Sequence, residues 1–147
     1  MPILTKPYEN FERPGLVVAY KIAADTKVFK GSALAVDTNG YVVPLSAAPA
    51  SLKFAGIAGE SVDNSGGAVG AKTVNVTKCG SFVFKAASGD TPSVAKIGLA
   101  AYASTDWECQ TDSTGLAHTY SLGTVVGLET TSTGASGYRV RIDHHTV

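Results

Sequence analysis

Apolar and polar residues alternate with a period of two wherever the chain has a clear rhythm. In Thr73-Val-Asn-Val-Thr77, Val74 and Val76 fall on one side and Thr73, Asn75 and Thr77 on the other, the pattern of a strand with one buried face. Val140 and Ile142 stand in the same relation to Arg139, Arg141 and Asp143, and Phe82 and Phe84 flank Val83. Residues 16–22 have the β-branched and aromatic content of a strand. Phe54-Ala-Gly-Ile-Ala-Gly59 reads as a buried strand whose glycines predict bulges or the close approach of another backbone. Asp37-Thr-Asn39-Gly40 separates the apolar runs 33–36 and 41–43, and Asn-Gly in that setting predicts a hairpin because both residues tolerate positive φ.

Asp63-Asn-Ser-Gly-Gly67 reads as the tip of a long connection, and Cys79-Gly80 as a turn. Helical rhythm is confined to 92–96, with Thr91 placed to cap it and Gly98 to end it. Further on, 99–103 and 107–110 form a second hairpin about Ser104-Thr-Asp106. A polar loop 111–119, a strand 122–126 and a Gly/Ser/Thr loop 130–137 follow. No amphipathic helix of ordinary length appears. The expected fold is therefore all-β, a small β-barrel or sandwich.

The pattern also repeats. Gly31-Ser-Ala-Leu-Ala-Val36 answers Gly98-Leu-Ala-Ala-Tyr-Ala103, Ile57-Ala-Gly59 answers Val125-Val-Gly127, and Thr73-Val-Asn-Val-Thr77 answers Arg139-Val-Arg-Ile-Asp143. The offsets are roughly 66 to 68 positions, the signature of an internal repeat. Two copies, about 28–85 and 95–143, are too few for a solenoid and are expected to close one sheet or barrel as two related β-units. That assigns 16–147 to a single β domain. Residues 1–15 carry three prolines and no period, so they read as an extended N-terminal arm. Its apolar content (Ile3, Leu4, Tyr8, Phe11), with Arg13, is expected to lie on a neighbouring subunit, set against a plain frayed terminus.

Composition narrows the function classes. A chain of 147 residues with 44% hydrophobic content supports one domain burying about 70% of its unfolded surface. Twelve basic residues balance twelve acidic ones, so no chain-wide field draws in nucleic acid or anionic lipid. No apolar run approaches membrane-span length, and the start lacks a signal-type apolar core, so synthesis in the cytoplasm is expected. Cys79 and Cys109, too few for a disulfide scaffold, read as reduced thiols at strand ends.

Candidate chemistry is sparse. His118, His144 and His145 adjoin no nucleophile motif, the cysteines lack metal-ligand spacing, and Asp63-Asn-Ser-Gly-Gly67 lacks the alternating acids of a calcium loop. No catalytic residue, cofactor or metal is expected. Asn75-Val-Thr77, formally a glycosylation sequon, reads as strand. Arg139 and Arg141 project from one face of the last strand, and Lys72 and Lys78 flank its counterpart, a face suited to acidic groups on a partner. Trp107 and Tyr102 are expected in the core.

Taken in order, Glu9-Asn-Phe-Glu-Arg-Pro-Gly15, Lys30-Gly-Ser, Asn39-Gly-Tyr, Phe54-Ala-Gly-Ile-Ala, Val62-Asp-Asn-Ser, Gly80-Ser-Phe-Val-Phe84, Lys96-Ile-Gly and Tyr138-Arg-Val-Arg-Ile142 resemble the head decoration, or capsid cement, proteins of tailed bacteriophages. The similarity spans nearly the whole chain and departs from the pattern in loop 111–119. It implies a non-enzymatic virion protein on the outer capsid surface, made in the host cytoplasm. Its partners would be the major capsid protein and further copies of itself, a homotrimer in preference to a dimer, with no nucleic acid or membrane. Ile3, Leu4, Tyr8, Phe11, Arg13, Arg139 and Arg141 are the expected capsid or subunit contacts. The competing expectation is a carbohydrate- or small-ligand-binding β-module.

Overall fold

The computed structural model describes residues 15–47, 53–116 and 119–143. Among the described residues, twelve strands and two short 3-10 turns make an all-β structure. In chain order they are β1 (Val17–Lys21), β2 (Thr26–Val28), β3 (Ala33–Val36), β4 (Val42–Pro44), β5 (Lys53–Ala58), β6 (Val62–Asn64), β7 (Thr73–Thr77), β8 (Gly80–Ala86), β9 (Ala100–Ala103), β10 (Glu108–Gln110), β11 (Ser121–Thr130) and β12 (Ser136–Ile142). Leu45–Ala47 and Val94–Lys96 are the 3-10 turns.

Two sets of strands share one order, and their bounds differ from the copies expected at 28–85 and 95–143. Strands β8–β12 form a closed barrel in the order β10-β8-β12-β11-β9. Strands β1, β7, β5, β3 and β4 form a sheet in the corresponding order, and the parallel bridge Ile22↔Val42 ties its two edges together. The same bridge recurs in the second unit as Cys109 opposite Ala86. It is reinforced alike in both, by Ala23 N–H to Val42 O at 3.1 Å and Ala87 N–H to Cys109 O at 2.9 Å. Register follows: Val17 opposite Thr77 returns as Ser81 opposite Arg141, and Leu34 opposite Gly56 returns as Ala101 opposite Gly123. Each unit therefore closes on itself, and β8, assigned to the first copy from sequence, opens the second. The correspondence of 73–77 is with 137–141, two residues earlier than the sequence match, because the two copies carry loops of different length. The first copy uses its longer β5–β7 connection for β6, which pairs with β2. The second has the longer connection between Gly89 and Gly98, which holds the 3-10 turn.

Two local features explain why this sequence makes the same barrel twice. Gly31 and Gly98 donate N–H to Ala58 and Val125, both at 2.8 Å, and Ala58 and Val125 donate back to Ser32 and Leu99, both at 2.9 Å. Then β5 and β11 bulge at the same place, after Phe54 and Ser121, with Gly56 at φ 138 and Gly123 at φ 149. A Cβ at either glycine would collide with a carbonyl oxygen of the neighbouring strand, Thr77 or Arg141. Only glycine allows the strands this close at the bulge.

The interior of the first barrel comprises Ile22, Leu34, Val42, Ala55, Ala58, Val74 and Val76, with Val28 from β2. The second is filled by Phe84, Ala101, Ala103, Cys109, Leu122, Val125, Tyr138, Val140 and Ile142. Ala33, Ala35, Phe54 and Ile57 point out of the first barrel and join that second cluster, so the barrels pack side by side. The β9–β10 turn adds polar ties: Ala33 N–H donates to Asp106 O at 2.6 Å, and Ser46 Oγ meets Asp106 Oδ1 at 3.1 Å.

The β3–β4 hairpin forms about Asn39-Gly40, where Gly40 has positive φ and the Asp37 carboxylate accepts the Asn39 and Tyr41 N–H groups. Other local expectations change. Thr91 caps nothing; Ser93 precedes the 3-10 turn, without a side-chain cap. Strand β11 runs on to Thr130, so the loop before β12 shrinks to a turn in which Thr131 N–H donates to Ala135 O. Residues 63–64 belong to β6 and not to a bare loop tip.

Candidate functional site

The outer wall of the second barrel is where chemistry-bearing side chains gather. β8 turns Phe82 and Phe84 inward and leaves Ser81, Val83 and Lys85 outside, and β12 sets Arg141 opposite Ser81 and Arg139 opposite Val83. Trp107 joins this wall through the β8–β10 edge, where Lys85 N–H donates to Trp107 O at 3.2 Å. Its side chain is 52% exposed and Val83 is 45% exposed. The expectation that Trp107 is core is thus corrected: it stands at the turn entering β10, one residue outside the pleat that buries Cys109. Tyr102 is half-buried.

This tryptophan is held firmly. Lys85 Nζ lies 4.6 Å from its ring centroid, a cation–π contact, and is itself 2.6 Å from Glu108 Oε1. The Thr105 hydroxyl accepts the N–H groups of Trp107 and Glu108 at 3.3 and 3.0 Å, and Asp106 anchors the turn to the first barrel. A shallow depression follows, lined by Val83, Lys85, Trp107, Thr131, Ser132 and Thr133. Arg139 pairs with Glu129 at 3.3 Å across an exposed surface, while Arg141 has no ion-pair partner among the described residues.

A second concavity, a cleft of about 540 Å³, lies between the barrels and is lined by Lys53, Phe54, Ala100, Tyr120, Thr124 and Asp143 among others. Elsewhere, one polar group is buried inside the first barrel and another sits at an end of the second. Lys78, expected on an exposed face, is 5% exposed, and its Nζ donates to Ala55 O and to Tyr20 OH at 3.2 Å. Burial pulls its pKa down to about 8. In the second barrel the Asp90 carboxylate accepts from Thr111 N–H at 2.7 Å, Tyr138 OH at 3.0 Å and Lys96 Nζ. Burial pushes its pKa up, but the Lys96, Thr111 and Tyr138 hydrogen bonds outweigh it and the net displacement is downward. Cys109, fully buried and near Asp90, is pushed up to about 12, a packed and unreactive thiol in mid-strand. Cys79 is also a free thiol, in the link between barrels.

Among the described residues no group of three or more His, Cys, Asp or Glu is placed to hold a metal ion, and no helix is long and apolar enough to cross a membrane. Arg139 and Arg141 sit together on the wall as the alternation predicted. Ile3, Leu4, Tyr8, Phe11 and Arg13 lie outside the described residues, as do His118, His144 and His145. Sequence reasoning missed Trp107, Val83 and Lys85; strand phase was the available signal for Val83 and Lys85, which alternate with Phe82 and Phe84, whereas Trp107 shares the phase of the buried Cys109 and is exposed because it precedes β10. No protein-family model, curated protein or solved structure matches this chain.

Proposed function

We propose that the chain is a structural decoration protein that binds the outside of an expanded phage head as a homo-oligomer, preferably a trimer, and stabilises contacts between major capsid protein subunits. The observation that carries the reading is that both barrels are packed solid with side chains, from Ile22, Leu34 and Val76 in one to Tyr138, Leu122 and Val125 in the other. What such a molecule offers a partner is its outer walls, and among the described residues the motifs that resemble cement proteins fall in the strands and turns of the two barrels. Each docked copy adds interface to the assembled lattice and none to free subunits, which shifts the equilibrium toward the shell by mass action. Several copies acting through one oligomer raise the effective affinity further.

The test is binding of the purified protein to expanded, undecorated heads, read as copies per shell together with the shell's resistance to heat. Saturation at the number of lattice symmetry axes with a more resistant shell is expected. Deleting residues 1–13 is expected to weaken binding at least tenfold while leaving the β-body folded. Failure of the intact, folded protein to bind any form of shell would sink the reading. The inter-barrel cleft, with Lys53 and Asp143 at its walls, favours a second one, a small-ligand or glycan-binding module, which a glycan screen tests.

A further inference from the structure

The duplication supplies an internal control for what the barrel itself requires. Five positions of the second barrel's wall have counterparts at the same places in the first: Val83 at Ala19, Lys85 at Lys21, Arg139 at Asn75, Arg141 at Thr77 and Trp107 at Gly40. The turn that carries Trp107 is likewise repeated, since Ser104 N–H donates to Glu108 O at 3.0 Å where Asp37 N–H donates to Tyr41 O at 2.7 Å. The first barrel closes with Ala, Asn, Thr and Gly at four of these places. Tryptophan, valine and two arginines are therefore not demanded by strand pairing or by the turn. They also sit on the side facing solvent, where Trp107 and Val83 are about half exposed and gain little from burial within the chain.

From this contrast we infer that the β8–β12 wall of the second barrel, centred on Trp107 and Val83, is the surface that docks on the capsid protein lattice. The assignment rests on the decoration reading above and names its contact face. Its composition is that of a protein-binding patch: an aromatic and an aliphatic anchor at the centre, with arginine and ionic pairs at the rim. Trp107 is already fixed by Lys85 and by the Thr105 turn, so its ordering costs little on binding. The wall carries Lys85, Arg139 and Arg141 against Glu108 and Glu129, and both glutamates are already engaged by Lys85 and Arg139. Among the described residues Arg141 is left over, so the complementary surface presents an apolar pocket for the indole with a carboxylate beside it.

The experiment compares affinity for expanded, undecorated heads among the intact protein, Trp107→Ala, Arg141→Glu and Asn75→Glu, with circular dichroism to establish that each is folded. Trp107→Ala is expected to lose at least about 30-fold and Arg141→Glu about tenfold, as central and charged contacts do. Asn75→Glu, at the first barrel's counterpart of Arg139, is expected to bind within about twofold of the intact protein, as a residue outside the contact does. If Trp107→Ala does not fold, the Arg141→Glu and Asn75→Glu pair decides. Wild-type binding that survives both wall substitutions overturns this assignment and leaves the decoration reading standing. An intact protein that binds no shell, or whose Trp107 emission responds instead to a soluble oligosaccharide, overturns both.

Discussion

Lys78 shows how far a single residue can depart from its repeat. Its counterpart in the second barrel is Ile142, which is buried and apolar, and the alternation that puts Val74 and Val76 inside puts residue 78 inside as well. The chain answers with a long side chain whose ammonium reaches Ala55 O and Tyr20 OH, 5.1 Å above the tyrosine ring. Because the folded-state pKa, about 8, lies below the usual lysine value of 10.5, the folded state binds fewer protons between these limits. Stability is therefore expected to rise as pH climbs from about 8 toward 10.5. Lys78→Ile should remove that rise and stabilise the protein by about 1–2 kcal/mol at pH 7, since a well-packed apolar residue commonly replaces a buried charge without loss. Denaturant titrations of both proteins across pH 7–11 check this, and equal slopes with pH would contradict it. The sequence reading puts Lys78 on an exposed face, although period two from Val74 and Val76 carries residue 78 inward; the oxygens its ammonium reaches there are brought in by other strands and were not legible.

At the scale of elements, the segment between Gly89 and Gly98 behaves as a strap across one end of the second barrel. Asp90 fastens it to Tyr138 on β12 and to Thr111 just past β10, and Lys96 within the strap closes the network. The folded-state pKa of Asp90 is depressed, so its contribution is fully present above the ordinary carboxylate range and is lost as pH falls through the folded value. Asp90→Asn is expected to cost about 1–3 kcal/mol at neutral pH, the range for hydrogen bonds to a partly buried charge. The difference should shrink near pH 3, and urea unfolding of both proteins at pH 7 and pH 3 measures it. Strongly alternating elements such as β7 and β12 were legible in the sequence. β2 and β6 were not, because strands of three residues carry too little pattern, and the strap looks in sequence like a capped helical turn because Thr91 has the composition of a cap but not its position.

For the molecule as a whole, the decisive interface is the one between barrels. Phe54 and Ile57 face outward from the first barrel into the shared core, whereas their counterparts in the second, Ser121 and Thr124, are exposed. The apolar pair on one copy and the polar pair on the other make the contact one-sided, so the barrels dock once and no equivalent face is left to recruit a further copy by the same contact. Phe54→Ser, which gives the first barrel the second's residue, is expected to cost about 3–5 kcal/mol, as deletion of a buried phenyl ring does. It should also separate the two halves. Trp107 fluorescence reports the second barrel alone, being the chain's one tryptophan. In the intact protein it should lose signal together with far-UV circular dichroism, whereas in Phe54→Ser the dichroism should begin to fall first. Coincident curves in the variant would show that the barrels still unfold together and that the Phe54 contact is not what couples them.

By itself the sequence determined the all-β class, the inward and outward faces of the longer strands, the glycines at the bulges and the existence of two copies. These follow from local sterics and from a period of two, which neighbours in the chain enforce without help. The tertiary structure alone decided where one copy ends and the next begins, because closure depends on bridges such as Ile22 to Val42 between residues far apart in sequence. It also decided that Trp107 faces solvent. By strand phase Trp107, two residues from the buried Cys109, would point inward; it lies instead in the turn just before β10, whose position is set by Thr105 and by Asp106 bonding to the other barrel.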